Sequence, residues 1–188
     1  MNADQLLAKF KESGALLEGH FILRSGLHSR QFFQCAHLLQ YPALASEISE
    51  ALGQRLENLN IDTIISPAMG GILVGHDLGR HLNKKHIFAE KAEGKLVMRR
   101  FQVEQGKRYL VAEDVVTTGS AVREVCQIVR EGGGIVEAVA CLVDRSGENK
   151  PNFGAPFVAL LEIKVETFSA EALPDDLLAL PAHKPGSR

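Results

Sequence analysis

The densest chemistry in the chain lies between Val111 and Ala121. Two adjacent acids, Glu113 and Asp114, stand at the exit of an apolar strand. Val115, Val116, Thr117, Thr118, Gly119 and Ser120 then lead into a helix opening at Ala121. Backbone N–H groups left free at a helix start, together with three hydroxyls, make a cradle for a phosphate dianion. Carboxylates accept hydrogen bonds from neighbouring hydroxyls, so the pair suits the diol of a sugar. A ligand with a phosphate at one end and vicinal hydroxyls at the other, such as ribose 5-phosphate, meets both demands. No Lys follows the glycine, which excludes a nucleoside-triphosphate P-loop, and no G-x-G-x-x-G fingerprint occurs. Taken singly, each residue is explained by strand termination or helix capping. The arrangement as a whole is what points to a phosphorylated sugar.

Positioning such a site takes a scaffold, and 188 residues suffice for a single domain with a sizeable core. A formal net charge of −2 gives no general attraction to nucleic acid or to anionic membranes, so an anionic ligand must be held by local groups. No apolar run approaches the roughly 20 residues needed to span a bilayer. The start Met1-Asn2-Ala3-Asp4 has no signal pattern, so a cytoplasmic protein is expected. Cys35, Cys126 and Cys141 are too scattered for a disulfide framework or a zinc site and read as reduced core residues. His76 and His81 are five apart, which puts them on different faces of a helix.

The elements follow from periodicity. Leu6, Leu7 and Phe10 predict a helix from Asp4 to Glu12, and alternation from Leu17 to Leu23 predicts a strand. A turn at Ser25-Gly26 leads to a second strand over Gln31–Cys35, completing a small α+β segment within 1–42. Residues 43–165 then alternate helices with apolar strands. Helices are expected over Ala43–Leu59, Ile72–Leu82 and Ala121–Glu131, the last stopped by Gly132 to Gly134. Strands are expected at Thr63–Ile65, Ile87–Ala89, Tyr109–Val116, Ile135–Val143 and Phe157–Leu161. That alternation predicts an α/β fold with a central, mostly parallel sheet flanked by helices. Ligands bind such sheets at the carboxyl ends of strands, which places the chemistry in the loops after Ile65, Val116 and Val143. Residues 181–188, rich in proline, are expected to form a mobile tail.

The segment from Glu113 to Ala121 resembles the phosphoribosyl-pyrophosphate (PRPP) motif of type I phosphoribosyltransferases, and among them that of the orotate phosphoribosyltransferases. Three further stretches resemble the same family. Phe21 to Gly26, with Ser29, Phe32 and Phe33, is similar to its N-terminal hood. Pro67 to Ile72 is similar to its pyrophosphate loop, and Asp144 to Gly147 to its base-binding arginine loop.

The resemblance implies the type I phosphoribosyltransferase fold and transfer of phosphoribosyl from PRPP to orotate, giving orotidine 5′-monophosphate and pyrophosphate. It implies Mg²⁺ held mainly through PRPP rather than by direct protein ligands. PRPP would be held by Arg24, Met69, Gly70, Gly71, Glu113, Asp114, Val115, Val116, Thr117, Thr118, Gly119, Ser120 and Ala121. Orotate would be held by Phe32, Phe33, Thr117 and Arg145. Asp114, Lys91, Arg99 and Arg100 are the implied catalytic residues, the last three on a cationic lid over Glu90–Arg100. A lid of this kind reaches into the neighbouring subunit's site, which implies a homodimer. Transfer to another nucleobase, or a non-catalytic PRPP-sensing role, stays open.

Overall fold

The computed structural model describes residues 1–23 and 25–185. In chain order, the first elements are α1 (Ala3–Glu12), β1 (Leu16–Ile22), β2 (His28–Phe33), α2 (Ala36–Leu39) and α3 (Pro42–Gln54). There follow β3 (Thr63–Pro67), α4 (Gly70–Leu82), β4 (Lys85–Ala92), β5 (Lys95–Val97) and β6 (Arg108–Val116). The chain continues through α5 (Ser120–Glu131), β7 (Ile135–Asp144), β8 (Phe157–Glu162), β9 (Thr167–Phe168) and α6 (Asp175–Leu178). Two compact units result, one made of Met1–Leu38 with Lys164–Arg188, the other of Leu39–Ile163.

The smaller unit is the hood. Asn2 starts α1 with a reciprocal cap: its side chain accepts from Gln5 N–H while the Gln5 side chain accepts from Asn2 N–H. Leu6 and Phe10 are buried, and the Phe10 ring lies 5.0 Å from that of Phe33. Strands β1 and β2 form an antiparallel pair, and β9 joins the free side of β2. A hood confined to 1–42 is therefore corrected: the chain returns after Lys164 to supply its third strand. Arg30 fastens that return through ion pairs to Asp176 (2.7 Å) and Glu166 (2.8 Å). Of the expected tail over 181–188, residues 186–188 lie outside the described residues, and His183 is hydrogen-bonded. His183 donates its N–H to His20 O and accepts from Ile22 N–H, both at 2.8 Å, so this part of the tail runs along β1. Alternation and turn signals carry no information about such distant pairing, which is why the sequence hid it.

The larger unit holds a sheet in the order β5-β4-β3-β6-β7-β8. Strands β4, β3, β6, β7 and β8 are parallel, and β5 is antiparallel to β4. Helix α5 buries Val122, Val125, Cys126 and Val129 against this sheet. Each such side chain contributes on the order of 1.5–3 kcal/mol. The expected helices and strands are present with shifted ends: α4 begins at Gly70, α3 stops at Gln54, and β4 extends to Ala92. All three cysteines are buried and none is in a disulfide, and burial pushes the Cys126 thiol up to about 11. Among the described residues, no helix is long and apolar enough to cross a membrane.

Candidate active site

Strand β6 is the centre of the sheet, and its residues Tyr109 to Ala112 have no exposed surface. The packing that fixes this strand delivers Glu113 and Asp114 to its carboxyl end. The two acids differ in surroundings. Glu113 is buried, its Oε1 accepts from Asp114 N–H at 3.1 Å, and its carboxyl also accepts from Gly71 N–H. Burial, and then the adjacent Asp114 charge, push its pKa well above the ordinary carboxylate range, which favours the neutral form. Asp114 is half-buried, and its Oδ1 accepts from Val115 N–H at 2.9 Å.

The pyrophosphate-loop candidate lies directly against this pair. A Cβ at Gly70 would collide with the Asp114 carboxylate. One at Gly71 would sit 2.9 Å from Glu113 Oε1 and 3.0 Å from Ala112 O. Glycine at both positions lets the loop lie in contact with the acids. Met69, next in line, is 82% exposed, and the Ala68–Met69 peptide is cis. Helix α4 starts at Gly70, so its free N–H groups face the same end of the sheet.

The phosphate-cradle candidate follows β6. Val116 is buried and ends the strand, while Thr117, Thr118 and Ser120 are exposed. Gly119 takes φ 73°, and a Cβ there would lie 2.9 Å from the Phe153 ring. This left-handed residue turns the chain into α5, so N–H groups of the first turn are left without helical partners. Ala121, in that turn, is half-buried.

Arg145 lies beside the cradle. Its N–H donates to Val116 O at 2.7 Å, because β7 runs parallel to β6 with Val116 opposite Asp144. Asp144 is buried, and its Oδ1 accepts from Ser146 N–H at 2.8 Å, which fixes the turn. Burial lowers the Arg145 pKa from the ordinary guanidinium value.

The cationic segment is a hairpin rather than the expected loop. Strands β4 and β5 are joined by Glu93 (φ 50°) and Gly94 (φ 85°), both left-handed, as a two-residue type I′ turn requires. Lys91, Arg99 and Arg100 are exposed, and Arg100 Nε pairs with Glu90 at 3.0 Å. Leu96, Met98 and Phe101 pack against the sheet's core cluster. Periodicity missed β5 because three residues are too few to show an alternation.

The sequence's site residues thus fall into separate groups. Met69 to Gly71, Glu113 to Ala121 and Arg145 gather at the carboxyl ends of β3, β6 and β7. In the hood, Phe32 is half-buried with its ring 5.8 Å from that of Phe21. Phe33 is buried, with its ring 5.0 Å from that of Phe10. Arg24 lies outside the described residues. What sequence reasoning missed is a polar pair packed against α4 at Gly75. Ser66, wholly buried at the end of β3, lies 3.1 Å from Nε2 of His86, whose pKa burial lowers to about 4. Only the parallel pairing of β3 with β4 brings them together.

Residues 34–173 match the phosphoribosyl transferase domain family. Over the whole chain, the sequence is 47% identical to orotate phosphoribosyltransferase from Caldicellulosiruptor bescii, covering 99% of that protein. The chain belongs to the orotate phosphoribosyltransferase family. Its relative from Rhizorhabdus wittichii is 45% identical over the whole chain and 97% of that protein. The solved orotate phosphoribosyltransferase from Aeropyrum pernix superposes with a TM-score of 0.70 at 27% identity, covering 84% of this chain and 93% of that one. The type I phosphoribosyltransferase fold is the fold of this family member.

Proposed function

We propose that the protein transfers the 5-phosphoribosyl group from PRPP to N1 of orotate, forming orotidine 5′-monophosphate and releasing pyrophosphate. The observation that carries this reading is the convergence of three anion-binding elements around Asp114. The Thr117–Ala121 cradle takes the 5′-phosphate, and the glycine loop at Met69 to Gly71 takes the pyrophosphate. Arg145 takes the base's carboxylate, and Thr117 lies between base and phosphate. The ribose hydroxyls face Asp114, with Glu113 behind it.

The difficulty of the reaction is charge. C1 becomes oxocarbenium-like while pyrophosphate departs with several negative charges. Preorganised N–H donors at the starts of α4 and α5 hold those anions without reorganisation during transfer. Asp114 opposes the positive charge at the ribose. Lys91, Arg99 and Arg100 stabilise the leaving group, acting from a neighbouring subunit in a cytoplasmic homodimer.

Mg²⁺ fits this donor set. The ion would be held mainly by oxygens of PRPP itself, and the half-buried Asp114 places a negative charge beside the diol that favours a cation there. When bound with PRPP, the ion offsets the charge of the departing pyrophosphate.

The deciding assay follows orotate absorbance on adding PRPP and Mg²⁺, beside a panel of other bases. Loss of absorbance with orotate, and no ribosylation of uracil, adenine or hypoxanthine, is the expected result. Turnover of another base in preference to orotate would replace the proposal with that base's transferase.

A further inference from the structure

The cationic hairpin is attached to the helix that opens at the phosphate cradle. Ala92 and Lys95 close the two-residue turn, so they form the hydrogen-bonded pair and Lys91 and Leu96 the next, non-bonded one. Leu96 N–H therefore points away from β4. It is satisfied instead by Glu124 Oε2 on α5, at 2.9 Å. Glu124 is half-buried and stands four residues after Ser120, one helical turn from the cradle and on its face. Beside this bond, Leu96, Met98 and Phe101 lie on the core cluster to which α5 also contributes Val122 and Val125. The Phe101 ring meets that of Phe88 edge-on at 5.1 Å.

We propose that Glu124 is a positioning residue for the transfer reaction: by accepting Leu96 N–H, it fastens the base of the hairpin to α5 and so sets the direction in which the hairpin projects. Lys91 is the residue opposite Leu96 on the other strand, so fixing Leu96 fixes the stem from which Lys91 projects. Arg99 and Arg100 follow two and three residues after β5 and are aimed by the same stem. Glu124 touches neither substrate. It acts through the hairpin, and the inference rests on the reading of Lys91 and its neighbours as leaving-group cations.

Glutamine keeps a side-chain oxygen that can accept the Leu96 N–H, whereas alanine removes it, and this contrast makes the role testable. In Glu124→Ala, kcat should fall by about tenfold, the effect of losing one well-placed hydrogen bond, with the PRPP KM within about threefold. Glu124→Gln should recover most of that loss. Hydrogen exchange on the same proteins should show the Leu96 amide exposed in Glu124→Ala and protected in Glu124→Gln. The amides of Val125 and Val129 should stay protected in both, showing that α5 is intact. An unchanged Leu96 amide, an unchanged kcat in Glu124→Ala, or equal loss in the Ala and Gln variants would overturn the positioning role. Lys91→Ala separates this from the underlying reading. If its kcat matches the parent, the hairpin takes no part in transfer, whatever the exchange at Leu96 shows. If its kcat falls while that of Glu124→Ala does not, only the positioning role is lost.

Discussion

The end of β6 and the β4–β5 hairpin both carry charged residues assigned to the proposed reaction, but they are held in different ways. Glu113 and Asp114 leave a central strand whose residues Tyr109 to Ala112 are wholly buried, with glycines pressed against their carboxyls. Lys91, Arg99 and Arg100 are exposed on a two-strand extension, secured by one ion pair, one bond to α5 and partial burial of Leu96, Met98 and Phe101. A rigid frame suits groups that must recognise PRPP before reaction. A hairpin with few fastenings suits groups whose contacts strengthen as pyrophosphate leaves.

The largest effect is expected at the rigid end. Asp114→Asn should lower kcat/KM by about 10²-fold or more, the scale of removing one preorganised electrostatic contact. Thermal unfolding should change little, because the side chain lies at the strand's exit. Near-parent kinetics would remove Asp114 from the ribose site.

Arg145→Ala should raise the orotate KM by about tenfold or more while PRPP binding stays within about threefold. Arg145→Lys should recover little, since an ammonium cannot form two parallel bonds to a carboxylate. Unchanged orotate binding would move the carboxylate's partner elsewhere.

The smallest effect concerns stability. The folded-state pKa of Glu113, about 9, lies above its ordinary value of 4.5. The neutral form is favoured by folding, so this contribution is fully present below pH 4.5 and is lost as pH rises toward 9. Glu113→Gln is permanently neutral and keeps an acceptor oxygen. Its Tm relative to the parent should therefore climb between pH 5 and 9, measured without ligand. A pH-independent difference would mean that Glu113 is ionised in the folded protein.

How legible each region was follows from the range of the forces that build it. Strand β6, its acids and the turn at Gly119 are local, and the residue types from Val111 to Ala121 foretold the strand, the turn and the helix that follows. The division between Glu113 and Asp114 was not legible, because it depends on Gly71 arriving from another loop. The hood's third strand and the run of His183 beside β1 were hidden for the same reason, being contacts between opposite ends of the chain. The cationic stretch was recognised by charge alone. Its hairpin form rests on Glu93-Gly94, a short turn signal between segments too brief to show a period.

The contrast between frame and hairpin is tested most directly by measuring PRPP affinity and single-turnover transfer to orotate on the same Lys91→Ala protein. PRPP binding should stay within about threefold of the parent, and transfer should slow by about tenfold or more. Mixing this subunit with Asp114→Asn should restore part of the activity in a confirmed heterodimer. A Lys91→Ala protein that loses PRPP affinity as much as it loses rate would contradict the account, because the hairpin would then be part of the recognition frame.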